Sequence, residues 1–181
     1  MSTIAVYCAS SDRIAPAYAE LAAEVGAAIA RRGHVLVTGG GSVSMMGAVG
    51  RAARAAGGHT VGVIPTALVA MEVADHDTDE LIVVDGMRTR KAAMDDRADA
   101  FLILAGGIGT LEEFFEVWTA ASLGLHAKPV VVLDPDGFYE PLWAWLRDLE
   151  ARGFVRRSAL DTLVLTRTVP DALAATEPPT P

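Results

Sequence analysis

Short apolar runs recur along the chain, each too brief for a core helix and each closed by glycine, proline or a polar turn. Thr3 to Cys8, Val35 to Thr38, Thr60 to Ile64, Leu81 to Val84, Phe101 to Leu104 and Val130 to Leu133 read as buried strands, with Leu163 to Thr166 as a last one. Between them the spacing changes to that of a helix. Tyr18, Leu21, Val25 and Ile29 follow Pro16, which suits a first helical turn, and Gly33 marks the end. Further helices are predicted from about Met45 to Ala56, stopping at Gly57-Gly58, over Arg88 to Arg97, Thr110 to Leu123 and Tyr139 to Arg152, with a short one near Asp171 to Ala175. The stretch from Pro65 to about Glu80 reads as a loop, and residues 177–181, rich in proline, as a disordered tail.

Strand and helix alternate throughout, with no linker between them. That order predicts an α/β fold: one Rossmann-like domain over residues 1–176, its parallel sheet flanked by helices on both faces. Two stretches share a grammar, Val35-Leu36-Val37-Thr38-Gly39-Gly40-Gly41 and Phe101-Leu102-Ile103-Leu104-Ala105-Gly106-Gly107. In such sheets ligands sit beyond the C-terminal ends of the strands, so both glycine loops are expected on the binding edge.

Composition narrows the partners. The 181 residues are 51% hydrophobic, which suits a sheet covered on both sides. A formal net charge of −8 argues against nucleic acid, which needs a basic footprint, but not against a small anion held by local positive charge. Cys8 is the single cysteine, which leaves no internal disulfide and no cysteine-rich metal site. No signal peptide and no membrane-spanning stretch is evident, so a cytoplasmic protein without membrane partners is expected.

Several common chemistries lack their residues. Cys8-Ala9-Ser10-Ser11-Asp12 after the first strand carries no dinucleotide-binding glycine pattern, and no P-loop or nucleophile elbow occurs. His34, His59, His76 and His126 stand at no metal-ligand spacing, so no metal is expected.

Three constellations remain. Gly106-Gly107-Ile108-Gly109-Thr110-Leu111-Glu112-Glu113 joins a strand to a helix, where free N–H groups and the helix dipole favour an anion. The same residues also admit a structural account, with Thr110 as N-cap and Glu113 closing a capping box. Gly39-Gly40-Gly41-Ser42 is either a tight turn or a close approach to a ligand. Met87-Arg88-Thr89-Arg90-Lys91 crowds cations at a positive helix end, which an anion would relieve; the alternative is an exposed patch paired with Asp85, Asp95 and Asp96. Trp118, Trp143 and Trp145 read as core or interface residues, and Cys8 as a small buried one.

Together, Gly39-Gly40-Gly41-Ser42 with Met46-Gly47, Met87-x-x-Arg90-Lys91 and Gly106-Gly107-x-Gly109-Thr110-x-x-Glu113 resemble the LOG family, also labelled lysine decarboxylase-like. Ser122-Leu123-Gly124-Leu125-His126-x-Lys128-Pro129 extends the match. The resemblance implies a cofactor-free phosphoribohydrolase, and a homodimer with the Trp118 helix as a candidate for the interface. Such an enzyme cleaves the N-glycosidic bond of adenine nucleoside 5′-monophosphates, including N6-prenylated cytokinin forms, to free base and ribose 5-phosphate.

By the same resemblance Arg90 and Glu113 are the catalytic pair. Gly106, Gly107, Gly109 and Thr110 hold the phosphate, and Gly40, Gly41, Ser42, Glu72, Lys91, Glu112 and Thr119 make further substrate contacts. Ala105, Arg88 and Ser44-Met45 depart from the usual family residues, which bears on substrate preference and leaves the catalytic pair intact. The rival is a carrier: relatives of this fold bind phosphorylated pterin cofactors without hydrolysing them, a task that does not require an Arg90/Glu113 pair.

Overall fold

The computed structural model describes residues 1–69, 71 and 73–177. Seven parallel strands form one sheet: β1 Thr3–Tyr7, β2 Val35–Thr38, β3 Thr60–Pro65, β4 Glu80–Val84, β5 Ala100–Ile103, β6 Val130–Leu133 and β7 Leu163–Thr166. Their spatial order is β4-β3-β2-β1-β5-β6-β7. The chain first builds outward from β1 to β4 and then crosses back to lay β5 on the other side of β1. The doubly wound sheet therefore reverses direction between β1 and β5, the place where such folds open a crevice.

Alternation along the central strands separates two cores. Ile4, Val6, Leu102 and Leu104 point to one face, where they pack with α1 (Pro16–Arg31), α2 (Ser44–Ala55) and α8 (Val169–Thr176) through Val25, Ile29, Met45, Val49 and Leu173. Ala5, Tyr7, Phe101 and Ile103 point to the other. There α4 (Met87–Arg97), α5 (Ile108–Ser122) and α6 (Glu140–Ala151) supply Met94, Phe114, Trp118, Trp143 and Leu146. Phe114 stacks on Trp118 at 5.6 Å between ring centroids, and Trp143 meets it edge-on at 6.2 Å. Both sheet faces are covered, which is why the strands read as continuous apolar runs.

The strands and main helices match the hydrophobic pattern to within two residues, and three differences remain. The stretch from Pro65 to Glu80 contains a short helix, α3 (Thr66–Val69), and α7 (Arg157–Leu160) lies ahead of β7. Each is a single turn, too short to show a helical period. The third difference concerns α5, which begins at Ile108 with Gly107 as N-cap. Thr110 is thus the third residue of the helix and does not cap it. In the expected tail, Glu177 pairs with Arg32 at 3.1 Å and lies 3.4 Å from His34 Nε2; residues 178–181 are outside the described ones. Among the described residues, no helix is long and apolar enough to cross a membrane.

Candidate active site

Helices α4 and α5 meet on one face of the sheet, and their facing side chains carry opposite charge. Glu112 and Glu116 lie one turn apart on α5, and Lys91 of α4 reaches both, with its Nζ 2.6 Å from Glu116. Burial works against the Lys91 charge, but hydrogen bonds to the two carboxylates outweigh it and raise its pKa. Glu113 points inward from the same turn and forms an ion pair with Arg90, the preceding residue on α4. Two of the three crowded cations between Met87 and Lys91, Arg90 and Lys91, are therefore relieved by carboxylates of α5. Asp95, expected to pair with that patch, instead meets Lys128 at 3.2 Å.

Arg90 and Glu113 are each only 6% exposed. Burial pushes the Glu113 carboxyl up to about 7, against the opposing pull of the Arg90 charge. A carboxylate poised near neutrality suits a group that exchanges a proton during turnover. On Arg90 the Nε–H is fully buried with no partner.

The capping-box account of Glu113 does not hold. Glu113 sits in the second turn of a helix that starts at Ile108, and its carboxylate is engaged by Arg90 rather than by a backbone N–H. No side chain caps α5 at Gly107, so the dipole and free N–H groups of its first turn have no internal acceptor. The glycines here have different causes. A Cβ at Gly106 would lie 2.1 Å from Thr110 Oγ1, so Gly106 makes room for the buried Thr110 side chain. A Cβ at Gly107 or Gly109 would meet nothing within 4 Å. Both line a cavity of about 300 Å³ with Arg90, Thr110 and Glu113.

The Gly39–Ser42 loop stands behind this cavity. Gly39 lies against Arg90: a Cβ there would be 3.1 Å from Nη1. Gly40 has φ +74, and a Cβ would press on Ile64 at 2.9 Å, so both conformation and packing require glycine. Gly41 pairs with Ala74, and Ser42 N–H donates to Val73 O at 2.8 Å. Gly40, Gly41 and Ser42 thus make a tight turn and are not among the residues that line the cavity. Thr119 lies on α5 beside a separate apolar groove with Leu123, Trp145 and Phe154. Glu112 and Lys91 pair with each other and are not among the residues that line the cavity, and Glu72 lies outside the described residues.

Comparison with known proteins assigns the chain to a family. Residues 46–176 match the family model described as "Possible lysine decarboxylase". The cytokinin riboside 5′-monophosphate phosphoribohydrolase of Mycobacterium tuberculosis is 57% identical over 97% of this chain and 94% of its own. The chain belongs to the LOG family. LOG-family similarity extends to the Rhodococcoides fascians protein of the same name (40% identity; 98% and 90% of the two chains) and to the rice protein named LOG (44%; 86% and 64%). Among solved structures, the Moco carrier protein of Chlamydomonas reinhardtii superposes with a TM-score of 0.71 at 26% identity over 96% of this chain and 94% of its own. The molybdenum cofactor binding protein of Rippkaea orientalis gives 0.72 at 23%, over 96% and 93%, a likeness of fold.

The cavity of this LOG-family chain also draws on residues that the sequence did not single out as site residues. Cys8, Ala9, Ser10 and Ser11 approach from the end of β1, and Met46, Leu68, Met87 and Ile108 supply apolar wall. The loop after β1 was noticed only for lacking the dinucleotide pattern. Its place at the sheet reversal, with Ala9 N–H donating to Ala105 O at 3.1 Å, is the signal that strand order alone could have supplied. Burial, with the Glu113 charge nearby, pushes the Cys8 thiol far up, which agrees with an inert small residue rather than a nucleophile.

Proposed function

We propose that this chain hydrolyses the N-glycosidic bond of adenine nucleoside 5′-monophosphates, with or without an N6 substituent, to free base and ribose 5-phosphate. The observation that carries the proposal is the buried Arg90–Glu113 pair, opening on one cavity with the uncapped start of α5. In this account the phosphate takes the N–H groups at Gly107 and Gly109 with the Thr110 hydroxyl, and the ribose extends toward Glu113. As the C1′–N9 bond breaks, its electron pair leaves with the base and positive charge builds on the ribose. The Glu113 carboxylate stabilises that charge and takes a proton from the water whose oxygen bonds C1′; Arg90 stabilises the purine anion, which takes up that proton to leave as neutral base. The phosphate contributes binding remote from the reacting bond, which serves positioning. Lys91, Glu112 and Glu116 keep α4 and α5 in register.

The proposal also includes a cytoplasmic setting, where phosphorylated nucleosides are retained, and a homodimer. The groove beside α5, with Leu123, Trp145 and Phe154 exposed, supports the second point. Trp118 itself is core, its indole N–H donating to Ala159 O at 2.8 Å. Light scattering at twice the monomer mass is the expected result.

The activity is tested with a panel of 5′-monophosphates that differ at N6, with chromatography of the products. Free base accumulating with ribose 5-phosphate supports the hydrolase. No base from any member, with a chromophore co-purifying, would favour the pterin-cofactor carrier.

A further inference from the structure

The loop that backs Arg90 is itself held from behind, by an ion pair outside the cavity. Asp75 is buried and meets Arg54 of α2 in a two-point contact, Nη1 to Oδ2 at 3.0 Å and Nη2 to Oδ1 at 3.2 Å. Gly50, one turn before Arg54, leaves the space this requires, since a Cβ there would lie 3.2 Å from Asp75 Oδ2. The Asp75 N–H donates to Gly40 O at 2.8 Å. Ala74 and Val73 continue the contact as a short antiparallel pairing with Gly41 and Ser42. Arg51, also on α2, donates to Ser42 O at 2.9 Å. Two arginines of one helix therefore hold the turn, Arg51 directly at Ser42 and Arg54 through Asp75, and the first residue of that turn, Gly39, lies against the Arg90 guanidinium.

We propose that Asp75 and Arg54 are positioning residues for Arg90: they fix the Gly39–Gly41 turn as a rigid backing that sets the guanidinium against Glu113. A planar guanidinium with its buried Nε–H unpaired needs such a surface to hold its orientation. A two-point arginine–carboxylate contact resists both sliding and rotation, which a single contact does not. Because Gly40 is packed against Ile64 and its carbonyl is held by the Asp75 N–H, displacement at Asp75 passes to Gly39. The inference rests on the proposed roles of Arg90 and Glu113. It predicts an effect on the reacting bond more than on substrate binding, since the phosphate is assigned to the opposite wall, at α5.

The test uses the full chain and the best 5′-monophosphate of the panel, with kcat, KM and the pH profile measured for Asp75→Asn, Arg54→Lys and Arg90→Ala. Glu113 is faced by Arg90 and Lys91 of α4, by Glu112 on its own helix, by Tyr7 at the end of β1 and by Cys8 just after it, so a shift of Arg90 registers in its titration. Asp75→Asn is expected to lower kcat about tenfold or more with KM within about twofold, and to move the acidic limb of the profile to higher pH. Arg54→Lys, which keeps the charge but not the two-point contact, is expected to give a smaller change in the same direction, and it decides the question if Asp75→Asn does not fold. Unchanged kcat and an unchanged limb in a folded variant, even with a lower Tm, would make the pair a structural staple and overturn the proposal. Arg90→Ala separates the two levels. If it retains turnover, the catalytic account fails and the positioning account with it; if it is inactive while the clamp variants behave as wild type, positioning alone fails.

Discussion

The side chain of Thr110 fills the space that a Cβ at Gly106 would need. The two would approach to 2.1 Å at Oγ1 and 2.4 Å at Thr110 Cβ. This contact locks the loop after β5 onto the first turn of α5, and Thr110 is only 4% exposed. Gly106→Ala must therefore displace the helix start or the loop. A stability loss of about 1–3 kcal/mol, read by denaturant unfolding, is expected together with a large fall in turnover.

Gly109 should behave in the opposite way. It lies inside α5, and a Cβ there meets no protein atom within 4 Å. Replacing a helical glycine by alanine favours the fold by about 0.5–1 kcal/mol. Gly109→Ala is thus expected to keep or raise Tm while KM for the 5′-monophosphate rises, because the new methyl enters the cavity. A fall in Tm with unchanged KM would remove Gly109 from the phosphate site.

The pH dependence follows from Glu113. Its carboxyl stands near 7 in the fold against an ordinary 4.5, chiefly through burial, so the folded chain retains a proton that the unfolded chain gives up. The stabilising contribution of that proton is complete below about 4.5 and is lost as pH rises through about 7. Activity runs the other way, because the carboxylate is the working form: kcat/KM should climb through about pH 7 to a plateau. Thermal melts across this range should show the loss for wild type and not for Glu113→Gln. An activity profile flat from pH 5 to 8 would contradict the role given to this group.

Tyr139 ties α6 to the end of β5, its hydroxyl donating to Leu104 O at 2.8 Å in a buried setting. Tyr139→Phe leaves that carbonyl unpaired. Chemical denaturation should show a cost of about 1–3 kcal/mol, with KM nearly unchanged.

Much of this fold was legible because the central strands are apolar on both faces and most strands are followed within a few residues by glycine or proline. Phe101 to Leu104 and Val130 to Leu133 needed nothing else. The start of α5 was misjudged because Thr110 is a good capping residue in isolation. In the fold its side chain is taken by Gly106, and the extended backbone of Gly107 lets the helix begin earlier. Arg90 and Glu113 were found by the family pattern; their pairing, between residues 23 apart, depends on α4 and α5 sharing one face. The roles of Asp75 and Arg54 were not legible, since an aspartate in a polar stretch and an arginine on a helix show no pattern until the chain brings them together. The same holds for Gly40, Gly41 and Ser42, whose spacing could not separate a turn from a ligand loop.

The central claim is that Glu113 acts on the glycosidic bond of a phosphorylated nucleoside. Its most direct test is chromatographic measurement of free base released from one adenine nucleoside 5′-monophosphate and from the matching riboside, by wild type and Glu113→Gln. The account predicts rapid release from the monophosphate by wild type, little from the riboside, and release reduced by at least about a hundredfold in a Gln variant that remains folded. Equal turnover of both nucleosides, or full activity in Glu113→Gln, would contradict it.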